Sequence, residues 1–224
     1  MVLKKIFQKR GSVALLIAAV LGVIFYQFPQ IDIAVSQFFY RNGAWVIDGR
    51  APVMWWCYHA LPTLGQVLMM GILVLWILSF SKKFSRFAPR RRYFAFLVVA
   101  TLLGPVTITE SLKSFYSRPR PINTQIFGGE LPFRPAFRLV DKIGKNRAFV
   151  SGHVAASTMI FAFFWFVPKV RRRRLFAYLS LFPIVVGIAR IVVGGHYLSD
   201  CIFGFFGTYF AIILAEKLVF PRST

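Results

Sequence analysis

Six apolar stretches, at about 11–28, 60–80, 93–113, 150–168, 175–193 and 197–219, are long enough, or nearly so, to cross about 30 Å of hydrocarbon as helices. In lipid every backbone N–H and C=O must be paired within the chain, so helices are the default for such stretches. The fourth and fifth stretches are short and can extend into their flanks. Composition agrees. The 224 residues are 57% hydrophobic with a mean hydropathy of +0.63, a balance common among multi-span membrane proteins and rare among soluble domains. The expected fold is all-α, a six-span transmembrane helical bundle. Residues 1–224 are expected to form a single integral membrane domain, with no internal repeat and no low-complexity linker.

The formal charge of +21 would suit a nucleic-acid binder if it lined one soluble face. It does not. The cations fall in short blocks between apolar stretches, as topology signals do. Lys4, Lys5, Lys9 and Arg10 precede the first stretch. Lys82, Lys83, Arg86, Arg90, Arg91 and Arg92 separate the second from the third, and Lys169 and Arg171 to Arg174 separate the fourth from the fifth. With six spans these blocks share one side with Arg222, which the charge rule makes cytoplasmic. The first stretch reads as a retained anchor, since no small-residue cleavage site closes it. The two cysteines, Cys57 and Cys201, do not make a disulfide framework. Nucleic acid is excluded as a partner, the bilayer is required, and no obligate protein partner is inferred.

The loop at about 114–149 lies on the opposite side yet is basic, which points to cations that serve an anionic substrate. Four separated segments deliver polar groups to that same side. Lys113 ends the third stretch, and Ser151, Gly152 and His153 open the fourth. Arg190 ends the fifth, and His196 and Asp200 open the sixth. Such a set suits phosphoryl transfer, which needs charge neutralisation, an in-line nucleophile and an acid for the leaving oxygen. Lys113, Arg120 and Arg190 supply cations, and arginine's fork matches phosphate oxygens. Ser151 sits where a helix N-cap is expected, with free N–H groups facing an anion, and Gly152 permits close approach. His196 and Asp200, four apart on one expected helix, share a face. The carboxylate can bind one imidazole nitrogen and leave the other as nucleophile. Gly194-Gly195 allows Arg190 to fold back beside His196, and His153 becomes the general acid.

Metal catalysis is the chemical competitor. It needs clustered carboxylates or histidines, and the seven acidic residues are scattered. Only Asp200 neighbours a histidine of the set. A route without metal or cofactor is therefore expected.

These segments resemble the three signature motifs of the type 2 phosphatidic acid phosphatase superfamily. Lys113 through Arg120-Pro121 matches its first motif. Val150-Ser151-Gly152-His153 matches the second, with Val150 in place of proline. Ala189-Arg190, His196 and Asp200 match the third, with Ala189 in place of serine. The resemblance implies a metal-free lipid phosphatase with a phosphohistidine intermediate on His196 and His153 as acid. A finer likeness, carried by Phe28-Pro29-Gln30-Ile31-Asp32, Phe38-Phe39-Tyr40 and Asn146 to His153, is to bacterial lipid A phosphatases of the 4′ branch.

The substrate expected first is therefore lipid A, dephosphorylated at the periplasmic face of a bacterial inner membrane. The rivals are undecaprenyl pyrophosphate, phosphatidylglycerophosphate and a lipid-to-lipid phosphotransferase. Arg118, Arg134 and Arg138 are candidate headgroup contacts, and Lys142, Lys145 and Arg147 are further loop cations. His59 reads as interfacial, as do Trp45, Trp55 and Trp56. Glu110 is intramembrane and unassigned.

Overall fold

The computed structural model describes residues 2–139, 146–166 and 169–221. It is mostly helical. Helix α1 (Val2–Gln27) breaks at Phe28-Pro29, where proline cannot donate a helical hydrogen bond. The chain turns by 86° into α2 (Gln30–Phe38). A two-residue hairpin follows, β1 (Tyr40–Arg41) paired antiparallel with β2 (Ala44–Trp45). Its turn is Asn42-Gly43, both at positive φ, as a type I′ turn requires. The hydropathy reading contained neither α2 nor this hairpin.

The second stretch is a helical run, Pro52–Leu78, made of α3 (Pro52–Trp55), a wider π-helical turn at Trp56–Ala60 and α4 (Leu61–Leu78). The third runs from Lys82 to Asn123 as consecutive helical pieces. These include α5 (Arg91–Thr101), a π-helical segment around Pro105, and α6 (Thr109–Tyr116). Then come α7 (Gly152–Thr158), α8 (Lys169–Val192) and α9 (Leu198–Val219).

The described residues of the six apolar stretches thus lie mostly in helix. Among the described residues, three helices are long and apolar enough to cross a membrane, or four if the bent α1–α2 pair counts as one span. Two shorter apolar helices, Gly152–Phe163 and Ala177–Val192, fall below that length. The run Pro52–Leu78 buries only 6% of its most apolar window inside the protein. Leu64, Val67, Leu68 and Met70 lie open on its surface. A water-facing helix would not be built this way, whereas one facing lipid tails would.

Helix α9 is central, with α1, α5 and α7 packed on it. Small residues make this possible. A Cβ on Gly204 would lie 2.7 Å from the carbonyl oxygen of Ser151, so only glycine admits α7 this close. The largest core cluster joins Phe94, Phe96, Leu97 and Ala100 of α5 to Met159, Phe161, Ile212 and Ala215. It fills the end of the bundle away from the polar segments. At that end, Arg91 ties the start of α5 to the end of α4 by donating to the Ser79 carbonyl and covering the Phe80 ring.

Candidate active site

Backbone hydrogen bonds pin the three motif segments together. The Ala148 N–H donates to the Arg118 carbonyl at 3.0 Å, joining the first segment to the second. The Ser151 N–H donates to the Asp200 carbonyl at 2.8 Å, joining the second to the third. The Ile122 N–H donates to the Gly194 carbonyl at 3.0 Å, joining the first to the third.

The third segment turns tightly out of α8. Gly194 has φ +67, and a Cβ there would lie 2.3 Å from the Trp45 indole. The β1–β2 hairpin thus lies directly on this turn, and Tyr40, Trp45 and Phe127 pack there as a cluster. The Arg190 carbonyl accepts from the N–H groups of Gly195 (2.9 Å) and His196 (3.2 Å). The Arg190 guanidinium folds back over Gly195, within 2.5 Å of where a Cβ would be. The expected fold-back beside His196 is present.

His196 precedes α9 instead of lying on it, so the pair with Asp200 is not a shared helix face. Asp200 sits in the first turn and reaches backward. Its Oδ2 accepts the Tyr197 N–H at 2.8 Å, which caps the helix. The same oxygen stands 3.5 Å from His196 Nδ1. The closer partner of Nδ1 is the Ala148 carbonyl at 2.9 Å. A carbonyl only accepts, so Nδ1 carries the proton and Nε2 keeps its lone pair. Burial lowers the imidazole's pKa below the ordinary histidine value. The charges of Arg190 and Arg120 add to this, and Asp200 opposes it.

The cations converge on the two imidazoles. Arg190 and Arg120 act electrostatically on His196, and Arg190 and Lys113 act on His153. Lys113 Nζ lies over Gly152, 2.9 Å from the position a Cβ would take. Its carboxylate partner is Glu110 at 2.7 Å, which also pairs with Arg147. Glu110 therefore holds two cations at the site's edge. Ser151 occupies the N-cap position of α7, but its side chain makes no capping bond. His153 Nε2 lies 3.3 Å from the Tyr58 carbonyl. Its ring rests against Tyr58, which also meets the Arg190 guanidinium, 4.6 Å from the ring centre, and the His59 ring.

Arg118 requires a correction. By sequence it is a candidate headgroup contact, yet its side chain has 0% exposure. Nη1 donates to Asp200 Oδ1 (2.7 Å) and Ser199 Oγ (2.8 Å), Nη2 to Asp32 Oδ2 (2.9 Å), and Nε to the Arg134 carbonyl (2.7 Å). A guanidinium so enclosed has no fork to offer a lipid. Arg134 is also bound inward, donating to the Ser117 carbonyl at 3.0 Å. Arg138 and Arg147 are exposed, and Lys142 and Lys145 lie outside the described residues. Asp32 was not selected from the sequence. Its carboxylate accepts from the Ser199 N–H (2.9 Å), the Ser199 hydroxyl (2.5 Å) and Arg118. The available signal was its place in Phe28-Pro29-Gln30-Ile31-Asp32, the segment that carries the finer likeness. Among the described residues, no three of His, Cys, Asp or Glu are grouped to hold a metal ion.

A helical membrane protein with two imidazoles, a carboxylate and three cations at the mouths of its helices defines an integral membrane phosphatase. Residues 93–223 match the family model described as the PAP2 superfamily, and the chain belongs to that family as a phosphoric monoester hydrolase. It is 33% identical over 210 residues to a protein named lipid A 4'-phosphatase from Rhizobium leguminosarum, covering 86% of this chain and 89% of the relative. A protein of the same name from Rhizobium etli is 32% identical, covering 86% and 81%. Another from Francisella tularensis subsp. novicida is 25% identical, covering 90% and 91%. No solved structure matches the chain.

Proposed function

We propose that this protein hydrolyses a phosphate monoester of lipid A through a phosphohistidine on His196, without metal. The observation that carries this reading is the Nδ1 contact with Ala148. It commits the ring proton to Nδ1 and leaves the lone pair on Nε2, in a ring on which Arg120 and Arg190 act, beside a His153 on which Lys113 and Arg190 act. Those cations bind the phosphate oxygens and spread the charge of the transition state. Nε2 attacks phosphorus and the bond from phosphorus to the lipid oxygen breaks. His153 protonates the departing oxygen, exchanging its contact with the Tyr58 carbonyl for one to substrate. In the second half, water attacks phosphorus and gives its proton to His153. The N–P bond breaks, and inorganic phosphate leaves. Ser151 and the amides of Gly152 and His153 supply further donors to the phosphate.

Lipid A is favoured over undecaprenyl pyrophosphate and phosphatidylglycerophosphate by relatives of that name aligned along most of both chains. The basic loop after α6 supports the same choice. The helices are proposed to make six crossings, the two short ones being extended by their flanks. The basic blocks then face the cytoplasm and the site faces the periplasm. The test is phosphate release by the purified protein in detergent from lipid A, undecaprenyl pyrophosphate, phosphatidylglycerophosphate and phosphatidic acid, with product analysis for transfer to a second lipid. Highest kcat/KM on lipid A, with free phosphate as product, is expected. A clear lead for another lipid removes the lipid A assignment, and a phosphorylated second lipid in place of free phosphate makes the protein a transferase.

A further inference from the structure

We infer that Asp32 and Arg118 are positioning residues for the reaction, forming with Asp200 a buried Asp32–Arg118–Asp200 chain that sets how much negative charge faces His196. This inference rests on the phosphohistidine reading. Three parts of the chain meet here: Asp32 from α2, Arg118 from the run after α6, and Asp200 from α9. Each is fully buried.

The charges decide the matter. When Nε2 bonds to phosphorus, the ring keeps its Nδ1 proton and becomes cationic. A carboxylate at 3.5 Å stabilises that charge. Yet Asp200 is already paired with Arg118 at 2.7 Å. Alone, that pair is neutral and exerts little field on the ring. Asp32 engages the same guanidinium at 2.9 Å. One arginine then serves two carboxylates, and the trio keeps one negative charge. Asp32 engages Nη2 of Arg118 while Asp200 engages Nη1, and the Asp32 carboxylate bonds to Arg118 and Ser199, not to His196. Its effect passes through the charge of its neighbours.

Geometry adds a second route. The Ser199 N–H and hydroxyl both donate to Asp32, which fixes the start of α9 immediately after His196. The Arg118 carbonyl holds the Ala148 amide, and the Ala148 carbonyl holds His196 Nδ1. Arg118 therefore reaches the nucleophile through its charge and through its backbone.

A charge-restoring cycle tests this. Asp32→Asn makes the trio neutral. It is expected to lower kcat by about tenfold to a hundredfold, the coupling typical of one hydrogen-bonded network, with KM little changed. Asp32→Asn with Arg118→Gln leaves Asp200 as the single charge and is expected to recover several-fold of that loss. A purely structural role predicts the opposite, the double variant being worse than Asp32→Asn. That result, or an unchanged kcat in Asp32→Asn, overturns the proposal. If Asp32→Asn does not fold, the double variant alone decides: folded and within about tenfold of the native kcat supports it, and folded but inactive sinks it. Acid-stable and base-stable adducts differ, so quenched phosphoenzyme is measured in parallel. A native protein with no base-stable phosphohistidine on His196 removes the parent reading. A normal phosphohistidine whose formation rate ignores Asp32→Asn removes this inference alone.

Discussion

The Ala148 carbonyl stands 2.9 Å from His196 Nδ1, closer than the Asp200 carboxylate at 3.5 Å. The His196 tautomer is therefore held by backbone, and on the proposed mechanism Asp200 acts chiefly through charge. Asp200→Asn should keep Nε2 unprotonated and retain a measurable rate, about a hundredfold to a thousandfold below native. His196→Ala removes the proposed nucleophile and should abolish phosphate release while the protein still inserts. Single-turnover kinetics on both variants check this. Equal and complete loss in the two would mean that the Ala148 contact does not fix the ring.

His153→Ala should cost most with a basic leaving group. A missing general acid typically costs about 10²- to 10⁴-fold, and that loss shrinks when the departing oxygen needs no proton. An activated aryl phosphate should recover much of the rate in His153→Ala but little in Asp200→Asn. Equal recovery in both variants would contradict the separation of roles.

Hydropathy made the six helical stretches legible, because apolar length is a local property. It could not see the 86° bend after α1, although Pro29 marks the place. It also passed over the Asn42-Gly43 turn, a short-range signal lost inside an interfacial loop. The motif spacing singled out His153, His196, Lys113, Arg120 and Arg190, and the fold pins the three segments that carry them together by backbone hydrogen bonds. Arg118 misled for a physical reason. In sequence it is one of four residues in Arg-Pro-Arg-Pro, and nothing local separates a guanidinium facing a headgroup from one enclosed by acids. Its partner Asp32 lies 86 residues earlier, and only the tertiary fold joins them. Glu110 was unassigned for the same reason, since its pairing with Arg147 crosses 37 residues.

Protonation of His196 sets an acid limit on activity. Its folded pKa lies below the ordinary 6.5, because burial disfavours the imidazolium. The neutral nucleophile then persists below pH 6.5, and kcat/KM should fall only at a more acidic pH. The same sign holds for stability. The group favours the fold above pH 6.5, and that contribution is lost as pH drops through the lowered folded value. Arg120 pushes in the same direction as burial, so Arg120→Gln should move the acid limb of kcat/KM upward. A downward move would contradict the placement of Arg120 beside the ring.

Orientation is open to chemical labelling. On a background with Cys57 and Cys201 changed to serine, Ile126→Cys and Ser85→Cys place thiols at two exposed positions in separate basic regions. In intact spheroplasts an impermeant maleimide should label Ile126→Cys and spare Ser85→Cys. The reverse pattern puts the site on the cytoplasmic side and excludes a periplasmic substrate.

Arg134 and Arg147 should part company when each is changed to glutamine. Arg134 donates to the Ser117 carbonyl, and its own carbonyl receives Arg118 Nε. It braces the turn that leads into Arg118, so Arg134→Gln should lower the melting temperature and depress activity on every lipid alike. Arg147 is exposed and shares Glu110 with Lys113, which places a second cation next to the proposed phosphate ligand Lys113. A lipid with two phosphates can use both cations, and a small monophosphate can use only the first. A charge-assisted contact to phosphate is worth about 1.5–3 kcal/mol where water is partly excluded, and less at an exposed position. Arg147→Gln should therefore lower kcat/KM for lipid A several-fold, leave phosphatidic acid nearly unchanged, and keep the melting temperature. A uniform loss across both lipids would show that Arg147 only steadies Glu110, and would remove it from substrate choice.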